Sequence, residues 1–238
     1  MNNVIMTTYF CKKKNPQKDN FVACNDITYI KPWYYSVKNL ELNGIIFHDG
    51  LYDEFIKKYE TDKIKFIYAN SNSYDISIND LRYYVYFDYI IKNENIKNIF
   101  MTDGSDVTVV KNPFNTFKKL CVGSERSKGF KNKCLKEKIS LFNSNIKNKF
   151  NYHKNPTNTV YNAGILGGNR KDIIKFLKNM INIFDNFNSE IKTKNLNMIV
   201  FNYVIYKIYN QNIISGNSLH SEFKKYQNNR TDVYFIHK

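Results

Sequence analysis

Short apolar runs alternate with amphipathic segments along the first half of the chain. Apolar runs of about four to eight residues between turn residues are typical of buried strands, whereas apolar side chains repeating every three or four positions are typical of helices. We predict strands at Asn3–Phe10, Gly44–Phe47, Ile64–Ala69, Ile99–Met101 and Val107–Val110. We predict helices at Pro32–Leu40, at Leu51–Tyr59 and from residue 77 or 79 to about Asn93. Such alternation predicts an α/β fold, in the Rossmann-like style, with a mostly parallel central sheet flanked by helices.

The third predicted helix combines an apolar stripe with an arginine near its start. The helical period places the following residues near one stripe: Leu81, Tyr84, Val85, Asp88 and Ile91. Arg82 is either an exposed helix charge or a ligand-binding group, and the pattern leaves both interpretations open.

The second half of the chain has a less regular pattern. It predicts a cover strand with turns around Pro113–Cys121 and a helix near Leu135–Phe142, inside the basic stretch Lys131–Lys149. It then predicts a strand at Thr159–Gly168, helices at Arg170–Phe184 and Lys194–Tyr209, and a last strand at Val233–Lys238. Because no repeat or linker interrupts the pattern, we predict a single domain over residues 1–238.

Two carboxylates follow the strand predicted at Ile99–Met101. Asp103 and Asp106 lie in a polar turn at the carboxyl end of this strand, where open α/β sheets bind their ligands. Two such side chains suit a hard divalent cation that keeps positions open for phosphates. The simpler interpretation is a polar turn in which Asp and Gly serve turn geometry. A phosphatase nucleophile loop fits poorly because its first Asp would fall at Met101, and an EF-hand would need a closing Glu.

Small residues interrupt the strand predicted at Thr159–Gly168. The pairs Ala163-Gly164 and Gly167-Gly168 permit another group to approach the backbone closely. Two interpretations stay open: a packed crossing of sheet and helix, or a sugar or diphosphate lying against bare backbone.

Composition adds a charge argument. The formal net charge is +15 and aromatic residues make up 16% of the chain, which would suit nucleic-acid binding through phosphate contacts and stacking. However, the lysines are spread along the whole chain, and Lys, Asn, Ile, Tyr and Phe are abundant together, as in the products of AT-rich genomes. We therefore read most lysines as solvated surface, with a minority serving a polyphosphate ligand, and expect no nucleic-acid partner.

Cysteine spacing and hydropathy bear on the compartment. Cys11, Cys24, Cys121 and Cys134 show no C-x-x-C spacing, so we expect neither a zinc site nor a disulfide framework, and a reducing compartment fits. The start of the chain lacks a secretory pattern, and no apolar run approaches the length of a transmembrane helix. We expect a cytoplasmic protein that is not secreted and has no transmembrane segment.

Several motifs in this order resemble the metal-dependent glycosyltransferases of the GT-A fold. The segment Phe100–Val107 resembles the acidic metal motif of that fold, in the Asp-x-x-Asp form found in collagen-modifying glycosyltransferases. The segment Tyr161–Gly168 resembles the family's Asn-(Ala/Ser)-Gly segment, Ile236–Lys238 resembles its late metal-binding His, and Met6–Phe10 resembles its nucleotide-holding strand. The resemblance covers the chain from about Val4 to Lys238. Small glycosyltransferases of large DNA viruses are the most similar in size and style, which would place the protein in the host cytoplasm.

The resemblance implies a reaction and a set of site residues. A sugar would be transferred from a nucleoside diphosphate sugar to an acceptor hydroxyl on a glycan or protein. The family implies UDP as the nucleotide. Asp103, Asp106 and His237 would hold Mn²⁺ or Mg²⁺. The donor would be bound by Thr7, Thr8, Tyr9, Phe10, Arg82, Asp103, Asn162, Gly164 and Lys238. Thr8, Tyr9 and Phe10 would hold the base by backbone hydrogen bonds and stacking, and lysines 12–14 would add phosphate contacts.

One departure from the family concerns the catalytic base. Many inverting members carry an acidic residue near the start of the penultimate long helix, but Lys194–Met198 contains no carboxylate. His220, Asp49 and Glu222 are the alternative bases, and His220 could equally be a hydrogen-bonded structural histidine. A retaining enzyme would require no such base. The alternatives to a glycosyltransferase are a basic nucleic-acid-binding protein, a metal-dependent nucleotidyltransferase and an inactive glycan-binding relative.

Overall fold

A computed structural model describes residues 2–16, 19–128, 133–140, 158–209 and 212–238. The strands of these residues are β1 (Asn3–Tyr9), β2 (Lys14–Asn15), β3 (Asn20–Phe21), β4 (Gly44–His48), β5 (Ile64–Tyr68), β6 (Asn98–Thr102), β7 (Val107–Val109), β8 (Cys121–Lys128), β9 (Thr159–Asn169) and β10 (Phe235–His237). Their α-helices are α1 (Lys31–Asn39), α2 (Asp53–Tyr59), α3 (Ile78–Lys92), α4 (Lys133–Ser140), α5 (Arg170–Asp185), α6 (Ser189–Lys192) and α7 (Asn197–Ile208).

Six strands form the central sheet in the order β5-β4-β1-β6-β9-β8. The first four are parallel to one another, and β9 pairs in the antiparallel sense with both β6 and β8. The predicted α/β class and mostly parallel sheet are therefore confirmed, and the arrangement is compatible with a Rossmann-like fold. After β1 the chain builds outward through β4 to β5 and then returns to the other side of β1 for β6. The strand order therefore reverses between β1 and β6, and such reversals are where open α/β sheets bind ligands.

Both faces of the sheet are buried, which explains why its parallel strands read as continuous apolar runs. Val4 and Met6 of β1 point into a core formed with α3, α5 and α7. Ile5 and Tyr9, on the opposite face of the same strand, point into a second core formed with α1 and α2. Helices therefore flank the sheet on both sides, as the sequence predicted.

Three element predictions need correction. The segment 113–120 is irregular, and only Cys121 begins a strand. The last long helix begins at Asn197 instead of Lys194. The helix near residue 135 spans Lys133–Ser140, while most of the basic stretch that contains it lies outside the described residues.

The stripe predicted for α3 is fully buried only at Leu81. Asp88 is exposed and Ile91 is 43% exposed, whereas the fully covered side chains include Tyr83, Tyr86 and Ile90. α3 packs against the sheet and also against α5, so its buried face is wider and rotated relative to a single amphipathic stripe.

The expectation that the chain holds no disulfide is wrong, because Cys11 and Cys24 form one. Cys11 lies two residues beyond β1, and Cys24 lies in the loop that follows β3. Sequence spacing gave no reason to pair them, because a disulfide depends on tertiary proximity. The cysteines therefore no longer support a reducing compartment.

Candidate metal centre

The acidic turn from Asp103 to Asp106 lies where the strand order of the sheet reverses. Asp103 directly follows β6, and its N–H donates to the carbonyl of Gly164 on β9 (2.9 Å). Gly104 lets the turn press against β1, because a Cβ atom there would lie 2.8 Å from the Thr7 hydroxyl. β7 begins directly after Asp106. The turn is thus held between strands, at the crevice where open α/β sheets bind ligands.

His237 reaches this turn from far along the chain through a small two-stranded sheet. β10 pairs with β7 in the antiparallel sense, which places His237 opposite Val107. The His237 side chain is fully buried, and its Nε2 lies 3.7 Å from an oxygen of the Asp106 carboxylate. The Phe223 ring covers the imidazole, with the two ring centres 4.3 Å apart. The backbone N–H of Lys238 donates to the Asp106 carbonyl (2.9 Å), which ties the end of the chain to the turn.

The three predicted metal ligands form a cluster that fits a cation. One atom each from Asp103, Asp106 and His237 lie within 4.8 Å of one another. Asp106 Oδ1 and both ring nitrogens of His237 are buried without a hydrogen-bond partner, and each such atom costs about 1–3 kcal/mol. A cation on Asp106 and one ring nitrogen would satisfy two of them.

Gly164 leaves the space that two of these ligands fill. A Cβ atom at this position would lie 2.5 Å from His237 Cε1 and 2.7 Å from Asp103 Oδ2. Asn162 fixes the strand here, since its Oδ1 accepts the Gly164 N–H (2.7 Å) and its Nδ2 donates to Glu125 Oε1 (3.2 Å). The small residue therefore serves close packing of the metal-binding side chains.

Arg82 on α3 is buried and forms an ion pair with Asp103. Its Nη2 donates to the Ala163 carbonyl (3.1 Å) and to the Tyr83 hydroxyl (3.2 Å). Burial is the largest single influence on both groups and would raise the pKa of Asp103 and lower the pKa of Arg82. The attraction between the two groups, together with smaller contributions from His237 on Asp103 and from Tyr83 and Tyr86 on Arg82, outweighs burial. The pKa of Asp103 therefore lies below its ordinary value, and the pKa of Arg82 lies above its own. Arg82 is not an exposed helix charge; it holds Asp103 ionised and in place.

Two aromatic residues at the site were not predicted from the sequence. Burial, followed by the charges of Asp103 and Asp106, raises the pKa of Tyr29 to about 12. Trp33 on α1 is fully buried and donates its Nε1–H to the Thr102 hydroxyl (2.8 Å), at the end of the strand that carries the turn. No spacing relates either residue to the acidic turn, because both arrive through tertiary contacts.

β1, the strand predicted to hold a nucleotide base, ends beside the turn. Thr7 is fully buried and its hydroxyl donates to the Thr102 carbonyl (2.9 Å), while Thr8 is half-buried. The rings of Tyr9 and Phe10 are buried in the two cores, which is incompatible with the stacking predicted for them. A nucleotide at this strand would therefore contact main-chain groups.

His220 is placed as a structural histidine. Its Nε2 accepts the backbone N–H of Ser124 (3.0 Å), which leaves the proton on Nδ1 to be donated to the Ser221 carbonyl (2.6 Å). Burial lowers the pKa of His220 to about 4. The ring is neutral and engaged at both nitrogens, so the geometry does not favour its role as a general base.

The other candidate base and phosphate-binding side chains differ in their surroundings. Asp49 is buried, and its two oxygens accept the backbone N–H groups of Cys11 (2.7 Å) and Lys12 (3.1 Å). Glu222 is exposed. Lys13 donates to the Tyr74 carbonyl, away from the acidic turn. Asp49 therefore fixes the chain after β1.

Comparison with protein-family models and with curated proteins gave no match to this chain. Within the described residues, no helix is long and apolar enough to cross a membrane. Fold and site therefore define the protein as an α/β protein with a candidate divalent-metal centre at the carboxyl ends of β1 and β6.

Proposed function

We propose that this protein is a metal-dependent glycosyltransferase of the GT-A type. Its donor would be a nucleoside diphosphate sugar with UDP as the nucleotide. The observation that carries the proposal is the cluster of Asp103, Asp106 and His237 with its unpartnered buried atoms, at the reversal of strand order. That position suits a nucleotide, and a diphosphate next to a cation accounts for the ligand set. The motif resemblance supplies the sugar and the transfer chemistry.

The difficult step in such a transfer is the departure of the diphosphate, which gathers negative charge as the glycosidic bond breaks. A bound divalent cation would neutralise that charge as a Lewis acid. Asp103, Asp106 and His237 would hold the cation, while Arg82 keeps Asp103 ionised. Lys238, next to His237 in the chain, adds a positive charge for phosphate oxygens.

The donor would lie along the ends of β1 and β9. We assign base recognition to main-chain groups of Thr7, Thr8, Tyr9 and Phe10, because the Tyr9 and Phe10 rings are buried. Asn162 and Gly164 border the cluster on the side of β9 and would face the sugar.

The ligand set bears on the ion. Carboxylates suit both Mg²⁺ and Mn²⁺, whereas imidazole suits the softer transition metals. With His237 as the third protein ligand, we propose Mn²⁺ as the resident ion and Mg²⁺ as a weaker substitute.

An inverting transfer would need a general base to take the proton of the acceptor hydroxyl. His220 and Asp49 are engaged in hydrogen bonds, and the segment Lys194–Met198 holds no carboxylate. Glu222, the remaining candidate, is exposed, and no contact of its side chain with the described residues assigns it this role. The proposal therefore names no general base, and a retaining transfer would require none. We propose a glycan or glycoprotein as the acceptor.

A metal-dependent nucleotidyltransferase is the second candidate, because the same acidic cluster would serve it. The two reactions differ in what leaves: a glycosyltransferase releases a nucleoside diphosphate, and a nucleotidyltransferase releases pyrophosphate.

The products test the proposal directly. The protein is incubated with Mn²⁺ and one UDP-sugar or one nucleoside triphosphate at a time, with and without simple sugar acceptors, and UDP and pyrophosphate are measured separately. We expect UDP release with at least one donor, lost in Asp106→Asn and retained in Asp62→Asn, whose side chain is exposed. Pyrophosphate release from nucleoside triphosphates in place of UDP release would favour the second candidate.

A further inference from the structure

Two cavities lie beside each other on either side of Tyr74. The first, of about 330 Å³, is lined by the carboxyl ends of β4 and β5 and by the second half of α3. The second, also about 330 Å³, is lined by residues 73–76, by α3 and by the ends of α5 and α6. Ser73 and Tyr74 line both. We call these two cavities together the tyrosine groove, and each falls in the size range of ligand-binding pockets.

Tyrosine rings form the walls of this groove. Tyr68 is 63% exposed at the edge of the sheet, and Tyr89 lines the same cavity. The ring centres of Tyr74 and Tyr84 are 5.3 Å apart. Tyr74 lines both cavities, and Tyr84 lines the second. Tyrosine presents an apolar ring face and a polar hydroxyl together, which suits a ligand that has both apolar C–H faces and hydroxyl groups.

Carboxylates are held at fixed positions among these rings. The Tyr84 hydroxyl donates a hydrogen bond to Asp185 Oδ1 (2.7 Å), and the Tyr74 hydroxyl donates a longer one to Asp88 Oδ2 (3.4 Å). An ionised carboxylate has about four lone-pair sites, so each aspartate can accept further hydrogen bonds from a ligand. The groove is therefore built to receive hydroxyl donors.

The charge of the groove disfavours anionic ligands. Its charged lining residues are three aspartates and two lysines: Asp75, Asp88, Asp185, Lys92 and Lys192. The lining is thus net negative in a chain whose formal net charge is +15. A phosphate or nucleic-acid ligand would meet carboxylates here while lysines are abundant elsewhere, so a neutral ligand fits better.

The groove is separate from the metal centre. Arg82 pairs with Asp103 near the start of α3, whereas Asp88, Tyr89 and Lys92 line the first cavity further along this helix. At 1.5 Å per residue these three positions are about 9–15 Å beyond Arg82 along the helix axis. Tyr84 lines the second cavity, and at 3.6 residues per turn it lies on nearly the opposite side of the helix from Arg82. A ligand in the groove would not need the cation.

We propose that the tyrosine groove is a binding site for a neutral oligosaccharide. Sugar rings lie against the tyrosine faces, and sugar hydroxyls donate to Asp88 and Asp185. The site does not rest on the proposed glycosyl transfer, since the groove and its contacts involve neither the metal ligands nor a nucleotide.

The test is saturation-transfer-difference NMR with cellotetraose, maltotetraose and chitotetraose, one at a time, in EDTA and without nucleotide. We expect at least one of the three to bind. Tyr68→Ala and Asp88→Ala change exposed groove side chains, so thermal denaturation should show both variants folded. Each should weaken binding about tenfold, equivalent to about 1.4 kcal/mol.

Tyr226→Ala is the matched control, because Tyr226 is 69% exposed and is absent from the lining of either cavity. It should bind the saccharide as the unaltered protein does. Failure of all three saccharides to bind, or unchanged binding by both groove variants, would overturn the proposal. Because the assay contains EDTA, neither outcome depends on whether the metal centre transfers sugars.

Discussion

Asp106 keeps a buried carboxylate oxygen without a hydrogen-bond partner, next to a histidine whose ring nitrogens are also unpaired. Buried polar atoms are nearly always paired in folded proteins, so unpaired ones close together indicate an absent ligand. Arg82 holds Asp103, and Gly164 gives Asp103 and His237 their space. At the scale of the residue, these side chains therefore place acceptor atoms where a cation could bind.

Replacing Asp106 tests that arrangement. Asp106→Asn should weaken Mn²⁺ binding by more than about 100-fold, because even changes to residues that merely orient metal ligands cost 10–100-fold. Isothermal titration calorimetry with Mn²⁺ measures the change. In EDTA the variant should be about as stable as the unaltered protein, since Asp106 Oδ1 has no hydrogen-bond partner to lose. Asp62→Asn is the exposed control, and normal Mn²⁺ affinity in Asp106→Asn would remove the metal assignment.

Replacing Gly164 tests the packing of the ligands. Gly164→Ala would place a Cβ atom 2.5 Å from His237 Cε1, so His237 or Asp103 must move. We expect Mn²⁺ binding to be lost and the free energy of unfolding to fall by about 1–3 kcal/mol, measured by calorimetry and urea denaturation. Gly168→Ala is the control in the same strand, because its added Cβ would have no neighbour closer than 3.5 Å. Equal effects of the two substitutions would show that the ligands do not depend on this space.

At the scale of the element, α3 and α7 meet at a buried carboxyl group. Asp80 on α3 is fully buried, and its Oδ2 accepts the backbone N–H of Leu196 (2.8 Å) at the start of α7. Burial raises the pKa of Asp80 to about 7, although hydrogen bonds from Leu196 and Asn197 and the charges of Arg82 and Lys138 oppose the rise. The start of α7 is therefore capped by a group that changes charge near neutrality.

This gives a pH-dependent stability with a defined sign. Between the ordinary pKa of Asp80 (3.8) and about 7, the unfolded chain has released the proton that the folded chain retains, so stability falls as pH rises. His220 acts in the opposite sense between about 4 and 6.5, because the unfolded chain then holds the proton that the folded chain lacks. The two contributions partly offset each other in the unaltered protein.

Asp80→Asn isolates one of them. Relative to the unaltered protein, the variant should gain stability as pH rises from about 4 to 7, by a few kcal/mol at most. The contribution of His220 is common to both proteins and cancels. Urea denaturation at several pH values measures the difference, with Asp62→Asn as the exposed control. Parallel stability curves for Asp80→Asn and the unaltered protein would contradict the assignment.

Strands and helices could be predicted where the pattern of apolar residues in the sequence directly indicates which side chains are buried. The parallel strands are buried on both faces, so β1, β4 and β6 appear as apolar runs and were found within one or two residues. The buried face of α3 was not predicted correctly, because it is determined by contacts with both the sheet and α5. The Cys11–Cys24 disulfide was missed for the same reason: only tertiary structure brings its partners together.

Some residues of the candidate site could likewise be predicted from local sequence, and others could not. Asp103 and Asp106 are neighbours in sequence, so a turn after a strand was enough to pair them. His237 entered through the family resemblance alone, since the pairing of β10 with β7 that delivers it is not readable from local pattern. Tyr29 and Trp33 carried no signal at all, because tertiary contacts alone bring them to the turn.

At the scale of the whole molecule, the net charge of +15 is the feature that most favours a different function. A nucleic-acid-binding protein would concentrate its basic residues on one face and bind with strong salt dependence. The lysines are instead spread along the sequence, and the tyrosine groove carries net negative charge. The charge is therefore better read as a general property of the surface.

A binding experiment checks this reading. We expect a fluorescent single-stranded oligonucleotide to bind only weakly, with a Kd of about 10⁻⁴–10⁻⁶ M that is independent of sequence and worsens steeply with added salt. Fluorescence anisotropy at several salt concentrations measures it. Nanomolar binding to one sequence at physiological salt would revive the nucleic-acid-binding alternative.

The most direct test of the central claim is a thermal-shift measurement with UDP, Mn²⁺, both together and neither. If the acidic cluster holds a cation that in turn holds a diphosphate, UDP should raise Tm only when Mn²⁺ is present. The rise should be about 5–10 °C at a hundredfold excess of ligand over Kd, and should vanish in Asp106→Asn. Stabilisation by UDP that is the same in EDTA, or that survives in Asp106→Asn, would contradict a metal-bridged nucleotide site.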